Sequence, residues 1–136
     1  MSDLPSFPSL LFRWRHVILT TLIALWLTAF TLTHLPAKEV PNFHLSDKIL
    51  HTTGFLGLAA AFAITLQAYG VQRKRRILLV ILIMLAYGAF DENTQPYFGR
   101  SCEFLDWVCD AVGTTAALIL TETLAFLLGR FQMTST

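Results

Sequence analysis

Charge is scarce in this chain. Only 14% of its 136 residues are Asp, Glu, Lys or Arg, while 54% are apolar and the mean hydropathy is +0.57. That composition is far from a soluble domain of this size and reads as a membrane protein with room for one domain. Cysteine is nearly absent, with Cys102 and Cys109 alone, so no paired C-x-x-C metal or redox motif is available. No G-x-S-x-G, Walker A or H-E-x-x-H motif occurs either, which removes the common serine-hydrolase, nucleotide-binding and zinc-protease signatures.

What remains is four apolar passes. The first runs from about Val17 to Leu35 behind a cytoplasmic lead, residues 1–12, that contains Pro5 and Pro8; Trp14 lies near one interface, and Pro36 and Pro41 bracket the next loop. Its length and lack of a small-x-small cleavage site favour a retained helix over a signal peptide. Ser46 or Asp47 caps the second pass, which ends at Gly70. The fourth starts near Asp106 and crosses to Gly129. Seven basic residues, Arg13, Arg15, Arg73, Lys74, Arg75, Arg76 and Arg130, lie on one set of ends, against Lys38, Lys48 and Arg100 on the other. The expectation is an all-α integral bundle of four transmembrane helices with both termini cytoplasmic, a single domain over 13–130 and a tail over 131–136. The Arg73 to Arg76 run is explained by such a loop beside anionic lipid, so no nucleic-acid partner is called for.

The third pass is the most informative. Its uninterrupted apolar run, Ile77 to Phe90, is 14 residues, about 21 Å of helix against a core of about 30 Å. To cross, the helix must carry Asp91, Glu92 and Gln95 with it until Pro96. These fall level with Asp47, His51, Arg100, Asp106 and Asp110, and charges gathered at one depth suggest a site. Helical periodicity places Asp47, His51, Gly54, Leu58, Ala61 and Thr65 in one stripe, and Asp106, Asp110, Gly113 and Ala117 in another. The small residues in them let two backbones approach. A 59-residue offset superposes Asp47, Gly54 and Gly70 on Asp106, Gly113 and Gly129, with His51 over Asp110, which reads as two similar helix faces or a duplicated helix pair.

If these faces meet, the eight residues Asp47, His51, Asp91, Glu92, Gln95, Arg100, Asp106 and Asp110 line a ligand-binding pocket, with Glu103 and Lys48 nearby. Crowded carboxylates favour protonation or a bound cation. A divalent cation is one solution, with His51, Glu92, Asp106 and Asp110 as candidate ligands. Asp91, Glu92 and His51 are candidate catalytic acids and bases. Arg100 could lock two acids or grip an anionic ligand. Plainer readings stand beside these: Asp47 as a helix cap, His51 as an interface histidine, Asp106 and Glu103 as N-terminal helix charges, and Asp91, Glu92 and Asp110 as a structural polar network. Glu122 lies apart and pairs with Arg75, Arg76 or Arg130. Cys102 and Cys109 can form a disulfide only if the backbone between them is a loop, since helix would hold their Cα atoms about 10 Å apart.

The motifs Asp47-Lys48-x-x-His51, Tyr87-Gly88-x-x-Asp91-Glu92-x-x-Gln95 and Gly99-Arg100-x5-Asp106-x3-Asp110-x2-Gly113 resemble the VanZ-like family of small bacterial membrane proteins over residues 45 to 125. The resemblance implies a multi-span protein of the bacterial cytoplasmic (inner) membrane, associated through the family's namesake with resistance to the glycopeptide teicoplanin. It supplies no settled reaction. One departure is Asp110, where the family commonly has Asn, making this layer more acidic. Three functions arise as expectations: a cell-envelope protein that binds a lipid-linked cell-wall precursor or glycopeptide, an enzyme acting on such a lipid head group, or a small ion-coupled transporter subunit. Membrane lipid is a partner in each, and a transporter of four short helices would form a homo-oligomer.

Overall fold

The computed structural model describes residues 7–36 and 46–133, with the backbone alone for residue 7 and residues 129–133. The lead residues 1–6 with Pro5, the loop residues Lys38 and Pro41, the side chain of Arg130 and the tail beyond 133 lie outside the described residues. The chain forms four helices in order: α1 (Phe7–Thr33), α2 (Asp47–Ala68), α3 (Arg73–Thr94) and α4 (Phe104–Met133), with a 3-10 turn over Gln95–Phe98. All four are long and apolar enough to span a membrane, and no strand occurs among the described residues. In lipid, a lone apolar segment keeps its backbone polar groups paired only as a helix.

Local chemistry sets the helix ends. The Ser46 side chain accepts from the Ile49 amide, capping α2. At its other end Gly70 takes φ 74°, which L side chains resist; the Val71 amide reaches the Leu66 carbonyl at 2.9 Å and the Gly70 amide the Gln67 carbonyl at 3.0 Å, a two-bond C-terminal cap. Pro96 turns α3 into the 3-10 segment after Thr94, so the helix does carry Asp91 and Glu92 past the apolar run. Two boundaries depart from expectation. Helix α1 begins at Phe7, inside the stretch read as a lead, because Pro8 is tolerated in a first turn. Helix α4 continues through Gly129 to Met133, since a glycine inside a helix weakens it without ending it.

Alternating directions gather all the acids of the predicted layer at one end. At that end Arg100 reaches the Thr33 carbonyl of α1, and at the other His16 of α1 meets Tyr69 at the close of α2. The most extensive packing is between α2 and α4, then α1 on α2 and α3 on α4. Gly113 makes the α2–α4 approach possible, because a Cβ there would overlap the Thr52 carbonyl oxygen and press the Leu56 amide. Gly54 does not share this role: it is exposed, with open space where a Cβ would go. Gly54 and Gly113, like Gly70 and Gly129, are therefore not structural equivalents, and the 59-residue pattern is no repeat of environment. Below the acid end Leu58, Ala59, Ala63, Val80, Met84, Ala117 and Leu118 form an apolar core, onto which Trp26 of α1 packs against Phe62 and Tyr87 at 5.8 and 5.1 Å.

Candidate functional site

The eight predicted site residues lie at one end of the bundle but do not share one pocket. They sort into four adjacent groups, divided by which helix each faces. Asp91 is fully buried and turns toward α1: Thr33 Oγ1 donates to its Oδ1 at 2.7 Å and Gln95 Nε2 to its Oδ2 at 3.2 Å. His34 stands behind, with Nδ1 at 3.7 Å from Asp91 and Nε2 at 2.8 Å from Thr94 Oγ1. Its ring also stacks on Phe30 at 4.0 Å.

One residue later on α3, Glu92 turns the other way. Its Oε2 accepts from the Glu103 amide at 2.9 Å and its Oε1 from Gln95 Nε2 at 3.3 Å. A carboxylate placed at the N-terminus of α4 satisfies an otherwise unpaired amide and suits the helix dipole. His51 of α2 lies between Glu92 and Asp110, with Nδ1 at 2.9 Å from Asp110 Oδ1 and Nε2 at 3.8 Å from Glu92 Oε1. All three side chains are buried. Gly88 leaves the space for this arrangement, since a Cβ there would stand 2.8 Å from Asp110 Oδ2.

The third group is Asp106, only 2% exposed, with Lys48 Nζ at 3.3 Å and Glu103 accepting from the same ammonium at 3.1 Å. The Lys48 hydrogen bond and charge hold the Glu103 carboxyl below its ordinary value. The fourth is Asp47, which receives Arg100 Nη2 at 3.3 Å, while Arg100 Nη1 donates to the Thr33 carbonyl at 3.3 Å. This corrects the expectation that Arg100 locks two acids. Its fork is divided between one half-exposed carboxylate and the end of α1, and it is Lys48 that faces a buried acid, Asp106.

An amphipathic groove adjoins these groups between α1, α2 and α3, with a volume of about 460 Å³. Leu25, Ala29, Leu32, Leu50, Phe55 and Leu58 supply an apolar wall, and Asp47, His51 and Arg100 lie along its polar end. Of the candidate catalytic residues only His51 lines it; Asp91 and Glu92 do not, because they are packed against α1 and α4. Two donor sets have metal-like compactness, with one donor atom from each residue within 4.8 Å of the others: Asp47, His51 and Asp106, and His51, Glu92 and Asp110.

Sequence reasoning missed His34, Thr33 and Thr94. The signal was present, because His34 ends the first apolar pass at the depth of the acid layer, but α1 has no acid of its own to draw attention there. At the opposite end Glu122 pairs with Arg76, one of the expected partners, and with Arg73, which was not expected. Arg76 Nε and Nη2 bind both Glu122 oxygens at 2.8 and 2.9 Å, and Arg73 Nε adds a bond at 3.0 Å. Cys102 and Cys109 are free thiols, Cys109 lying on α4 itself. No protein-family model matches the chain, and no curated protein or solved structure does.

Proposed function

We propose that this chain is a VanZ-like protein of the bacterial inner membrane, with both termini in the cytoplasm, whose acid end faces outward and binds a lipid-linked molecule of the cell envelope. The observation that carries this reading is the groove. Its hydrocarbon wall suits an acyl or polyprenyl chain, while Asp47, His51 and Arg100 at one end offer hydrogen bonds and charge to a polar head. A ligand with both parts, such as a lipid-linked cell-wall precursor, matches the groove's apolar wall and polar end. Altered sensitivity to teicoplanin would result from sequestering or masking such a precursor.

The test is native mass spectrometry of protein extracted in mild detergent. A co-purifying lipid of one mass class, lost in Leu32→Trp, which blocks the groove wall, supports the reading. Equal retention of all bulk phospholipids by wild type and variant rejects it.

An enzymatic reading is favoured by a separate observation. His51 contacts the groove on one side and two buried carboxylates on the other, the arrangement a general acid or base needs to exchange protons with a bound head group. Ion-coupled transport has less support. Between the acid end and the Arg76–Glu122 pair lie Ala59, Ala63, Val80, Met84 and Ala117, each at most 1% exposed, an apolar layer that separates the two charged ends.

A further inference from the structure

Four carboxylates at the acid end, Asp91, Glu92, Asp106 and Asp110, are at most 3% exposed. Facing them are one ammonium, Lys48, on Asp106, and two imidazoles, His34 on Asp91 and His51 on both Glu92 and Asp110. Even with both imidazoles protonated, Glu92 and Asp110 would share a single positive charge. Burial of an unmatched carboxylate is strongly unfavourable. A second observation points to the same place: Asp110 Oδ2 is buried and accepts no hydrogen bond from the described residues. One turn along the same face of α4, the buried Thr114 hydroxyl is unpartnered as well.

We propose that His51, Glu92 and Asp110 bind one divalent transition-metal ion. The donors come from three different helices, α2, α3 and α4, and one donor atom of each lies within 4.8 Å of the others; convergence on one ion at about 2.0–2.2 Å requires rotation of the His51 ring, whose Nδ1 now faces Asp110 and whose Nε2 faces Glu92. A neutral imidazole with two carboxylates cancels the ion's charge, which resolves the imbalance without protonating either acid. One nitrogen and two oxygens suit zinc, manganese, iron or cobalt better than calcium or magnesium. Three protein ligands leave a coordination position open, and one of the three, His51, also lines the groove. This inference goes beyond the ligand reading and survives its failure, because ion binding needs no lipid.

The experiment uses the full chain in lipid nanodiscs, treated with chelator and titrated with Co²⁺ while the visible d–d absorption is monitored. One Co²⁺ per chain is expected, displaced by Zn²⁺ and not by equimolar Mg²⁺. Glu92→Gln and Asp110→Asn should each weaken binding at least about tenfold, a loss that even an outer hydrogen-bond partner of a ligand can produce, while substitution of the exposed Glu103 side chain, Glu103→Gln, leaves it unchanged. Spin-echo spectroscopy of the Mn²⁺-loaded wild type should show coupling to one imidazole nitrogen, which needs no variant to fold. Absence of saturable Co²⁺ binding, absence of that nitrogen coupling, or binding lost in Asp47→Asn and retained in Glu92→Gln and Asp110→Asn would each overturn the site.

Discussion

Arg76 and Arg100 carry the same charge in opposite settings, and their substitutions should differ accordingly. Arg76 and Glu122 are 7% and 8% exposed and joined by two bonds. Arg76→Ala leaves a buried carboxylate with Arg73 alone and should destabilise by about 3 kcal/mol. Arg100 spans a half-exposed Asp47 and a backbone carbonyl, so Arg100→Ala should cost under about 1 kcal/mol. Thermal unfolding of both variants in one detergent checks the order; equal losses would show that Arg100 does hold the buried layer. Glu103 supplies a pH test. Its carboxyl is held below the ordinary value of 4.5 by Lys48, so the pair's contribution is complete above that value and is lost as pH falls through the lower folded-state value. The melting-temperature gap between wild type and Glu103→Gln should accordingly shrink on acidification, and a gap that widens would contradict the assignment.

At the scale of helices, the α2–α4 seam depends on one missing side chain. A Cβ at Gly113 would meet the rigid Thr52 carbonyl and Leu56 amide, and neither can swing aside as a side chain could. Gly113→Ala should therefore force the helices apart at roughly 1–3 kcal/mol. Gly54→Ala, with open space around it, should be neutral or slightly stabilising because alanine is the better helix former. Comparing the two melting temperatures tests whether small residues act as a general stripe or at a single crossing. Helix α1 is held differently. Only 6% of its apolar window is buried within the bundle, and its attachments include Leu22 and Trp26 in the middle, His16 against Tyr69 at one end, and the Thr33–Asp91 and Arg100 bonds at the other. Asp91→Leu should release that end of α1 while α2, α3 and α4 stay packed, seen as faster hydrogen exchange over residues 28–34.

For the whole molecule, the decisive property is the segregation of charge to two ends. Arg13, Arg15 and the run Arg73 to Arg76 share one end with the Glu122 pair, and the acid groups occupy the other. The positive-inside rule predicts that a cysteine at Gln72 is shielded from a membrane-impermeant thiol reagent in intact cells and one at Gly99 is labelled, in a background with Cys102 and Cys109 replaced. Labelling at Gln72 alone would invert the orientation and turn the groove toward the cytoplasm.

The four helices were legible in the chain from their apolar length, and the ends of α2 and α3 because Ser46, Gly70 and Pro96 act on their own local backbone, whereas the start of α1 at Phe7 and the end of α4 at Met133 were not. The continuation of α3 through Asp91 and Glu92 was legible too, since an apolar run of 14 residues is shorter than a bilayer core, and the helix runs on to Thr94. Partnership was not. Asp91 and Glu92 are neighbours in sequence, yet about 100° of helical rotation sends one to Thr33 of α1 and the other to the α4 amide and His51. Which helix stands on each side is set by packing, chiefly by the close contact that Gly113 allows. The same packing decided that Arg100 would reach Asp47 and that His51 would be the residue common to the groove and the buried acids, because contacts between residues 53 or 59 positions apart depend on helix placement that no local pattern encodes.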